Sequence, residues 1–302
     1  MPVATKHMNN YENKYKDGFS YFVHYTSAEA AINILDKKCL WMRNTNCMSD
    51  YREIHHGIEF IEGFLNSADC KKLISALQAC QQNEASQAIS EFIAIKEKIR
   101  KHTYITSISE HNKEDEDIHG RLSMWRAYSG TSTGIAIVFK TSNSDPIHIP
   151  DVFFSPVAYL KKEEIHKSIN EIINNIEINQ QFLCTISPKT VKQYLINTFV
   201  AAASCLKHPG FKEEKEWRIV HSPKIFGNTL EYEIITINSV PQMIYKLQLI
   251  NQLEPSRLID RIIIGPSQYT DQLFEAFTTK LRTLSISNPE SRVIRSLIPL
   301  RT

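Results

Sequence analysis

Hydrophobic and polar residues follow a two-residue period in several short segments of the chain. This period predicts β-strands, because successive side chains of a strand point to opposite faces. The run from Gly134 to Phe139 is apolar throughout, which is typical of a strand buried on both faces. Strands are predicted over residues 21–25, 39–42, 104–109, 134–139, 214–220, 231–236, 258–265 and 293–298.

A period of about 3.6 residues in the intervening segments predicts amphipathic helices. After Asp50, for example, apolar residues recur at Ile54, Ile58, Ile61 and Leu65. Helices are predicted over residues 27–36, as three consecutive helices from 50 to about 101, and over 161–180, 191–206 and 269–284, with a short helix that carries Trp125. The order of elements favours an α+β fold with a mixed or antiparallel sheet and helical insertions.

One α+β domain is predicted over residues 20–302, preceded by a polar N-terminal extension of residues 1–19. It carries a helical insert at about 51–101 and a helical segment at about 161–206. Five acidic residues crowd the segment 110–120, so we expect it to repel itself and stay mobile. It would then be either a flap over a site or a solvated loop.

Composition narrows the class of protein. The 302 residues carry 35 Lys and Arg against 33 Asp and Glu, a net charge of +2, which argues against a strongly nucleic-acid-binding surface. The six cysteines include no Cys-x-x-Cys pair, so neither a zinc ribbon nor a disulfide framework is indicated. No run resembles a signal peptide or a membrane span. These features predict a cytoplasmic protein that does not bind a membrane.

The segment from Lys207 to Val220 holds the most informative group of charged residues. On a strand, Glu214, Glu216 and Arg218 would share one face, with Trp217 on the other. Two carboxylates and a guanidinium are costly to bury unpaired. The ridge is therefore either part of a substrate cleft or an intramolecular salt-bridge network.

Two further groups combine polar and aromatic residues. His24 lies on a predicted strand that runs into Thr26, where a histidine either binds a ligand or is satisfied by the backbone in the core. Trp125 and Tyr128 are three residues apart on a short helix, a spacing that serves core packing or a stacking platform. Arg126 would face away from both and be available to an anion.

Some of these residues also have a local structural explanation. Thr26 and Glu29 form a capping-box pattern at the start of a helix. Asp50 can cap the helix that follows it, with Glu53 at the third position. The sequence contains neither a glycine-rich phosphate loop nor a Gly-x-Ser-x-Gly elbow, and no metal site is predicted.

Taken in order, these motifs resemble a bacterial family of unknown function, domain-of-unknown-function family 2971, which is associated with abortive infection. The resemblance spans roughly residues 20–266. It departs from the family at Ser49, where asparagine is usual. The blocks that carry it are His24-Tyr25-Thr26, Leu40-Trp41 with Asn44, Ser49-Asp50-Tyr51-Arg52-Glu53, Ser107-Ile108-Ser109, Met124-Trp125-Arg126-Ala127-Tyr128, Gly134-Ile135-Ala136 and Phe211 to Arg218.

The arrangement is also similar to a divergent ADP-ribosyltransferase, whose fold binds NAD without a Rossmann glycine loop. That resemblance implies an ADP-ribosyltransferase-like sheet, with NAD as substrate. It implies Glu216 as the catalytic carboxylate, His24 as the ribose-binding residue and Glu214 as the group that orients or deprotonates the acceptor. The implied cofactor-binding residues are Tyr25, Thr26, Trp41, Asn44, Trp125, Arg126, Tyr128 and Arg218.

The resulting expectation is an NAD-consuming effector of phage defence or of a toxin system. It would transfer ADP-ribose to an unknown macromolecular acceptor, protein or nucleic acid, or hydrolyse NAD, under the control of a regulatory partner protein. One alternative is a non-catalytic sensor or interaction module in which the ridge is structural. Another is a metal-dependent nuclease that uses Asp50, Glu53 and Glu214.

Overall fold

The computed structural model describes residues 18–48, 52–81, 83–128, 133–142 and 149–299, without the side chains of residues 52, 53, 79–81, 162 and 252. Within these residues the chain is a mixed α+β structure built on an open, mostly antiparallel sheet of ten strands. The predicted cap at Asp50 and the side chain of Glu53 lie outside the description, as do residues 1–17 of the N-terminal extension.

The strands account for every predicted strand and add two. They are β1 (Phe19–Ser27), β2 (Cys39–Asn44), β3 (Tyr104–Glu110), β4 (Gly134–Ser142), β5 (Val152–Pro156), β6 (Glu216–His221), β7 (Tyr232–Ile237), β8 (Val240–Gln248), β9 (Ile259–Ile264) and β10 (Val293–Arg295). The two strands that were not predicted are β5 and β8. A proline interrupts the pattern of each, Pro156 and Pro241, and β8 follows β7 through a tight turn at Asn238 and Ser239, both at positive φ.

The helices in the described part of the chain include every predicted helix, together with five short helices that were not predicted. They are α1 (Ala28–Lys37), α2 (Arg52–Leu65), α3 (Ala68–Gln81), α4 (Glu84–His102), α5 (Lys113–Glu116), α6 (Leu122–Tyr128), α7 (Lys162–Ile178), α8 (Gln180–Leu183), α9 (Pro188–Cys205), α10 (Pro223–Phe226), α11 (Pro255–Leu258), α12 (Thr270–Thr283) and α13 (Pro289–Arg292). Short 3₁₀ helices cover Thr45–Cys47, Pro209–Glu214 and Asn251–Leu253. The predicted helical insert is thus α2 to α4.

The sheet divides at β3. Its main order is β10-β9-β4-β1-β3-β2-β8-β7, with β6 on the other edge of β3 and β5 beyond β6. All pairs are antiparallel except β9 with β10. β1 and β2 both pair with the same edge of β3. β1 pairs only with Ser109 and Glu110, and β2 pairs only with Tyr104 and Ile105. Between these points β1 and β2 separate, and a cleft opens beside the middle of β3.

Apolar cores cover both faces of the sheet. Adjacent residues of β3 show this, because Tyr104 packs into one core and Ile105 into the other. The core around Tyr104 also contains α1 and α12, and the core around Ile105 contains α2, α4 and α9. The insert helices therefore have a structural role, since they bury one face of β3 and β6.

Three local predictions need correction. Ser27, and not Thr26, caps α1 by accepting the Ala30 N–H at 3.2 Å, because β1 continues through Thr26. Glu214 ends a 3₁₀ helix and does not belong to β6. The acidic segment is the third case.

The segment 110–120 was predicted to be mobile, but ion pairs and a short helix hold it. Glu116 is buried and its carboxylate accepts hydrogen bonds from Arg121 at 2.9 and 3.2 Å. Asp117 contacts His111 and Arg261, each at 2.8 Å. Cations on neighbouring elements thus neutralise the charges that would repel one another in isolation.

Candidate functional site

A cleft of about 340 Å³ lies where β1 and β2 separate beside β3. Eight of the eleven predicted site residues line it: His24, Tyr25, Thr26, Trp41, Tyr128, Glu214, Glu216 and Arg218. The structure thus brings together residues that are nearly two hundred positions apart in the sequence.

Strand register explains why the charged residues of β6 point into this cleft. Ser109 pairs with Glu216 and Ser107 with Arg218, so these four side chains share one face of the sheet. Trp217 points to the opposite face, as predicted, where its ring stacks edge-on against Phe22 at a centroid distance of 5.3 Å.

Glu216 is the centre of the cleft's polar network. The residue is 6% exposed, and its carboxylate accepts from Arg218 Nε and Nη2 at 2.9 and 3.2 Å, Ser107 Oγ at 2.5 Å and Lys207 Nζ at 3.2 Å. Burial alone would raise its pKa, but the two cations and the serine outweigh burial and lower the pKa to about 2. Glu216 is therefore ionised at neutral pH. The phenol of Tyr159 accepts its backbone N–H at 2.9 Å.

Lys207 joins the two glutamates of the predicted ridge. This nearly buried lysine donates to Glu214 at 2.8 Å and to Glu216 at 3.2 Å, and its ammonium lies 4.7 Å from the centre of the Phe211 ring. Glu214 therefore reaches the cleft although it lies outside β6. The ridge of Glu214, Glu216 and Arg218 therefore forms a salt-bridge network, which was one of its two interpretations. The same residues also line a cleft, which the other interpretation, a substrate cleft, requires.

His24 spans the gap between β1 and β3. Its Nδ1 lies 3.0 Å from the Ser107 carbonyl oxygen, and because a carbonyl can only accept, Nδ1 carries the proton. Burial lowers the pKa of His24 below its usual value, although the hydrogen bond to Ser107 opposes this. The ring is thus neutral at pH 7, and its unprotonated Nε2 is a hydrogen-bond acceptor with no partner among the described residues. Since Ser107 Oγ also bonds Glu216, a single residue connects His24 to the carboxylate.

Trp125 and the ring of Tyr25 belong to the core and not to a cofactor platform. Trp125 is 2% exposed, its indole N–H donates to the His119 carbonyl at 2.8 Å, and its ring meets Tyr25 edge-on at 4.9 Å. A Cβ on Gly120 or Gly265 would lie 2.6 or 2.9 Å from the indole. The predicted stacking of Trp125 on a cofactor is therefore wrong, because the ring is enclosed on all these sides.

Asn44 and Arg126 do not line the cleft. The Asn44 side chain caps a 3₁₀ helix by accepting the Asn46 N–H at 2.9 Å, and it donates to the Lys101 carbonyl, also at 2.9 Å. Arg126 is exposed on the outer side of α6. Arg218 does line the cleft, but its donors already bind Glu216 and, at 2.7 Å, the Ser204 carbonyl, so it does not offer a free fork to a phosphate.

Of the polar residues that line the cleft without having been predicted as site residues, three bear most on its chemistry: Ser107, Lys207 and Arg43. Ser107 and Lys207 lie within motifs noted for other reasons, and their roles depend on which strands pair. A local signal did exist for Arg43, since it is two residues from Trp41 and so shares its face of β2.

The described residues hold no group of three His, Cys, Asp or Glu side chains placed to bind a metal ion. Of the acidic residues named for a nuclease, Asp50 and the Glu53 side chain lie outside the description, and Glu214 pairs with Lys207. No helix in the described part of the chain is both long and apolar enough to cross a membrane.

Comparison with known proteins finds one family. Residues 124–219 match the model of a family described as "Protein of unknown function (DUF2971)", which supports the family resemblance over about a third of the chain. The matched region runs from α6 to β6 and includes Lys207, Glu214, Glu216 and Arg218, but neither His24 nor β2. Neither the search of curated proteins nor that of solved structures found a match.

Proposed function

We propose that the cleft binds NAD and that the protein cleaves the bond between nicotinamide and ribose, either transferring ADP-ribose or hydrolysing NAD. The observation that carries this proposal is the pairing of an ionised, buried carboxylate with a neutral histidine through Ser107 at the split of the sheet. The biological setting, phage defence or a toxin system with a regulatory partner and a macromolecular acceptor, rests on the family resemblance alone.

The residue types fit the chemistry of this cleavage. The bond between ribose C1′ and the nicotinamide nitrogen breaks, its electron pair leaves with nicotinamide, and C1′ becomes oxocarbenium-like before a hydroxyl or water attacks it. A carboxylate beside the ribose stabilises that positive charge and accepts a hydrogen bond from a ribose hydroxyl. Glu216 meets this need because Arg218 and Lys207 keep it ionised.

His24 fits the role of ribose holder. Its Nδ1–H is fixed by the Ser107 carbonyl, so the imidazole presents Nε2 as an acceptor. A ribose hydroxyl is a donor of matching chemistry. Trp41 and Tyr128 add aromatic surface to the cleft, and Tyr128 is 43% exposed at its rim, which suits stacking on a planar ring. Glu214 would orient or deprotonate the acceptor.

A non-catalytic sensor or interaction module is the second candidate, and one observation favours it. Both oxygens of Glu216 already have protein partners, as expected of a structural network. In that case Glu216 stabilises the fold and does no chemistry.

Incubation of the purified protein with NAD, with and without EDTA, tests the proposal through release of nicotinamide. We expect release that EDTA does not change, and a loss of about 10²-fold or more in Glu216→Gln, the scale for one key electrostatic contact. The matched control is Asp260→Asn, which removes a partly buried carboxylate paired with Arg261 at 2.8 Å outside the cleft and should keep activity.

Three results would count against this function. Absence of NAD binding and turnover in the wild type would favour the sensor. Normal turnover in a folded Glu216→Gln would remove Glu216 from the mechanism. Release that EDTA abolishes would point to a metal-dependent reaction.

A further inference from the structure

The charges that line the cleft do not cancel among the described residues. The cations are Arg43, Lys207 and Arg218, and the carboxylates are Glu214 and Glu216. Lys207 contacts both glutamates, and Arg218 contacts Glu216. Among the described residues, one positive charge, that of Arg43, is therefore left without a carboxylate.

Within the described part of the chain, the side-chain hydrogen bonds of Arg43 are both with neutral groups. Its Nε donates to the Gln242 side-chain oxygen at 3.3 Å and its Nη2 donates to the Cys47 carbonyl at 2.6 Å. Nη1 has no hydrogen-bond partner among the described residues. The guanidinium is thus held in place while part of its donor fork stays unused, which is the state of a preformed anion site.

Arg43 also lies on the same face of the sheet as the proposed reaction centre. It pairs with Ile105 on β3, and Ile105 and Ser107 are two residues apart, so both point to the face of Glu216. Trp41 precedes Arg43 by two residues on that face and also lines the cleft. An aromatic surface and a cation with no carboxylate partner among the described residues thus lie roughly 7 Å apart along one strand.

From this arrangement we infer that Arg43 binds a phosphate of the substrate, so that the cleft selects phosphorylated pyridine nucleotides over their nucleosides. A nucleotide has the matching order of groups, an aromatic base, a ribose and a phosphate. Trp41 takes the ring, His24 and Glu216 take the ribose, and Arg43 takes the phosphate. This inference rests on the proposed function, and it transfers the phosphate role from Arg126 and Arg218 to Arg43.

Calorimetric titration with nicotinamide mononucleotide and nicotinamide riboside tests the inference, because the two probes differ only by the phosphate. We expect the wild type to bind the mononucleotide about tenfold or more tightly, the scale of one charge-assisted hydrogen bond. Arg43→Gln should lose this preference while its affinity for the riboside stays unchanged. Arg282→Gln, which alters an exposed arginine paired with Glu290, is the control and should keep the preference.

The outcomes separate this inference from the proposed function. A wild type that binds neither probe overturns both. Equal binding of the two probes, or a preference that persists in Arg43→Gln, overturns the phosphate role alone. If Arg43→Gln does not fold, Arg43→Lys replaces it. Lysine keeps the charge but lacks the planar fork, so mononucleotide affinity should fall several-fold with the riboside unaffected, and an unchanged preference refutes the inference.

Discussion

Replacement of Glu216 by glutamine should destabilise the protein strongly at neutral pH and much less in acid. The substitution removes the charge that Arg218 and Lys207 share in a nearly buried site. Breaking a buried ion pair by removing one partner costs about 3–5 kcal/mol. We therefore expect Glu216→Gln to lose ~3–5 kcal/mol of unfolding free energy at pH 7.

The pH dependence follows from the lowered pKa of Glu216. Its pKa falls from 4.5 to about 2 on folding, so its ionised form stabilises the fold above about pH 4.5, and that contribution is lost as the pH falls towards 2. The full contribution is roughly 3 kcal/mol, of which about 2 kcal/mol is gone by pH 3. Glutamine does not titrate, so the gap between wild type and variant should shrink by ~2 kcal/mol between pH 7 and pH 3.

Urea denaturation at the two pH values, followed by tryptophan fluorescence, measures this gap. Trp125 and Trp217 are each 2% exposed, so unfolding changes their surroundings. The double variant Lys207→Met/Glu216→Gln serves as a second control. It removes one positive and one negative charge together, so the charges of Arg218 and Glu214 still balance, and it should be more stable than Glu216→Gln alone.

Two results would refute this reasoning. A gap below about 1 kcal/mol at pH 7 would mean that the ion pairs contribute no more than surface pairs do. A gap that is equal at pH 7 and pH 3 would mean that the pKa of Glu216 is not lowered.

Three further predictions concern other parts of the chain. His24→Asn should weaken NAD binding. In the wild type, NAD binding should hold from pH 8 down to pH 6.5, because burial keeps the pKa of His24 below that value. A loss of binding that begins above pH 7, in titrations across this range, would contradict a neutral ring. Gly265→Ala should lower the free energy of unfolding by about 1–3 kcal/mol through overpacking, because its Cβ would lie 2.9 Å from a backbone oxygen and from an indole ring. In the control Gly63→Ala, the added Cβ has nothing within 4 Å and should stabilise its helix slightly. Thermal melts compare the stability of the two variants. Arg121→Met should make residues 111–120 sensitive to limited proteolysis with or without NAD, whereas the wild type resists; cleavage of the wild type would show the segment to be mobile.

The sequence was sufficient to predict features that depend on neighbours along the chain. Alternation identified the face of Glu216 and Arg218 and the opposite face of Trp217, and periodicity located the insert helices. The sequence could not predict the partners of Glu216, because strand register and tertiary packing bring Ser107 and Lys207 to this carboxylate.

Other features were ambiguous for a physical reason. The three-residue spacing of Trp125 and Tyr128 is the same in a core helix and in a stacking platform, and only the packing of glycines around the indole distinguishes the two. Likewise, the charge of the acidic segment predicts repulsion unless the positions of Arg121 and Arg261 are known.

The attachment of β6 to β3 has a consequence for how the protein is made. The hydrogen bond from Ser107 to Glu216 joins residues 109 positions apart, so β3 leaves the ribosome long before the strand that completes its edge. Contacts of such wide separation form late in folding. If the cleft consumes NAD as proposed, a nascent chain is inactive until β6 has emerged, and any product truncated before Glu216 is harmless to the cell that makes it.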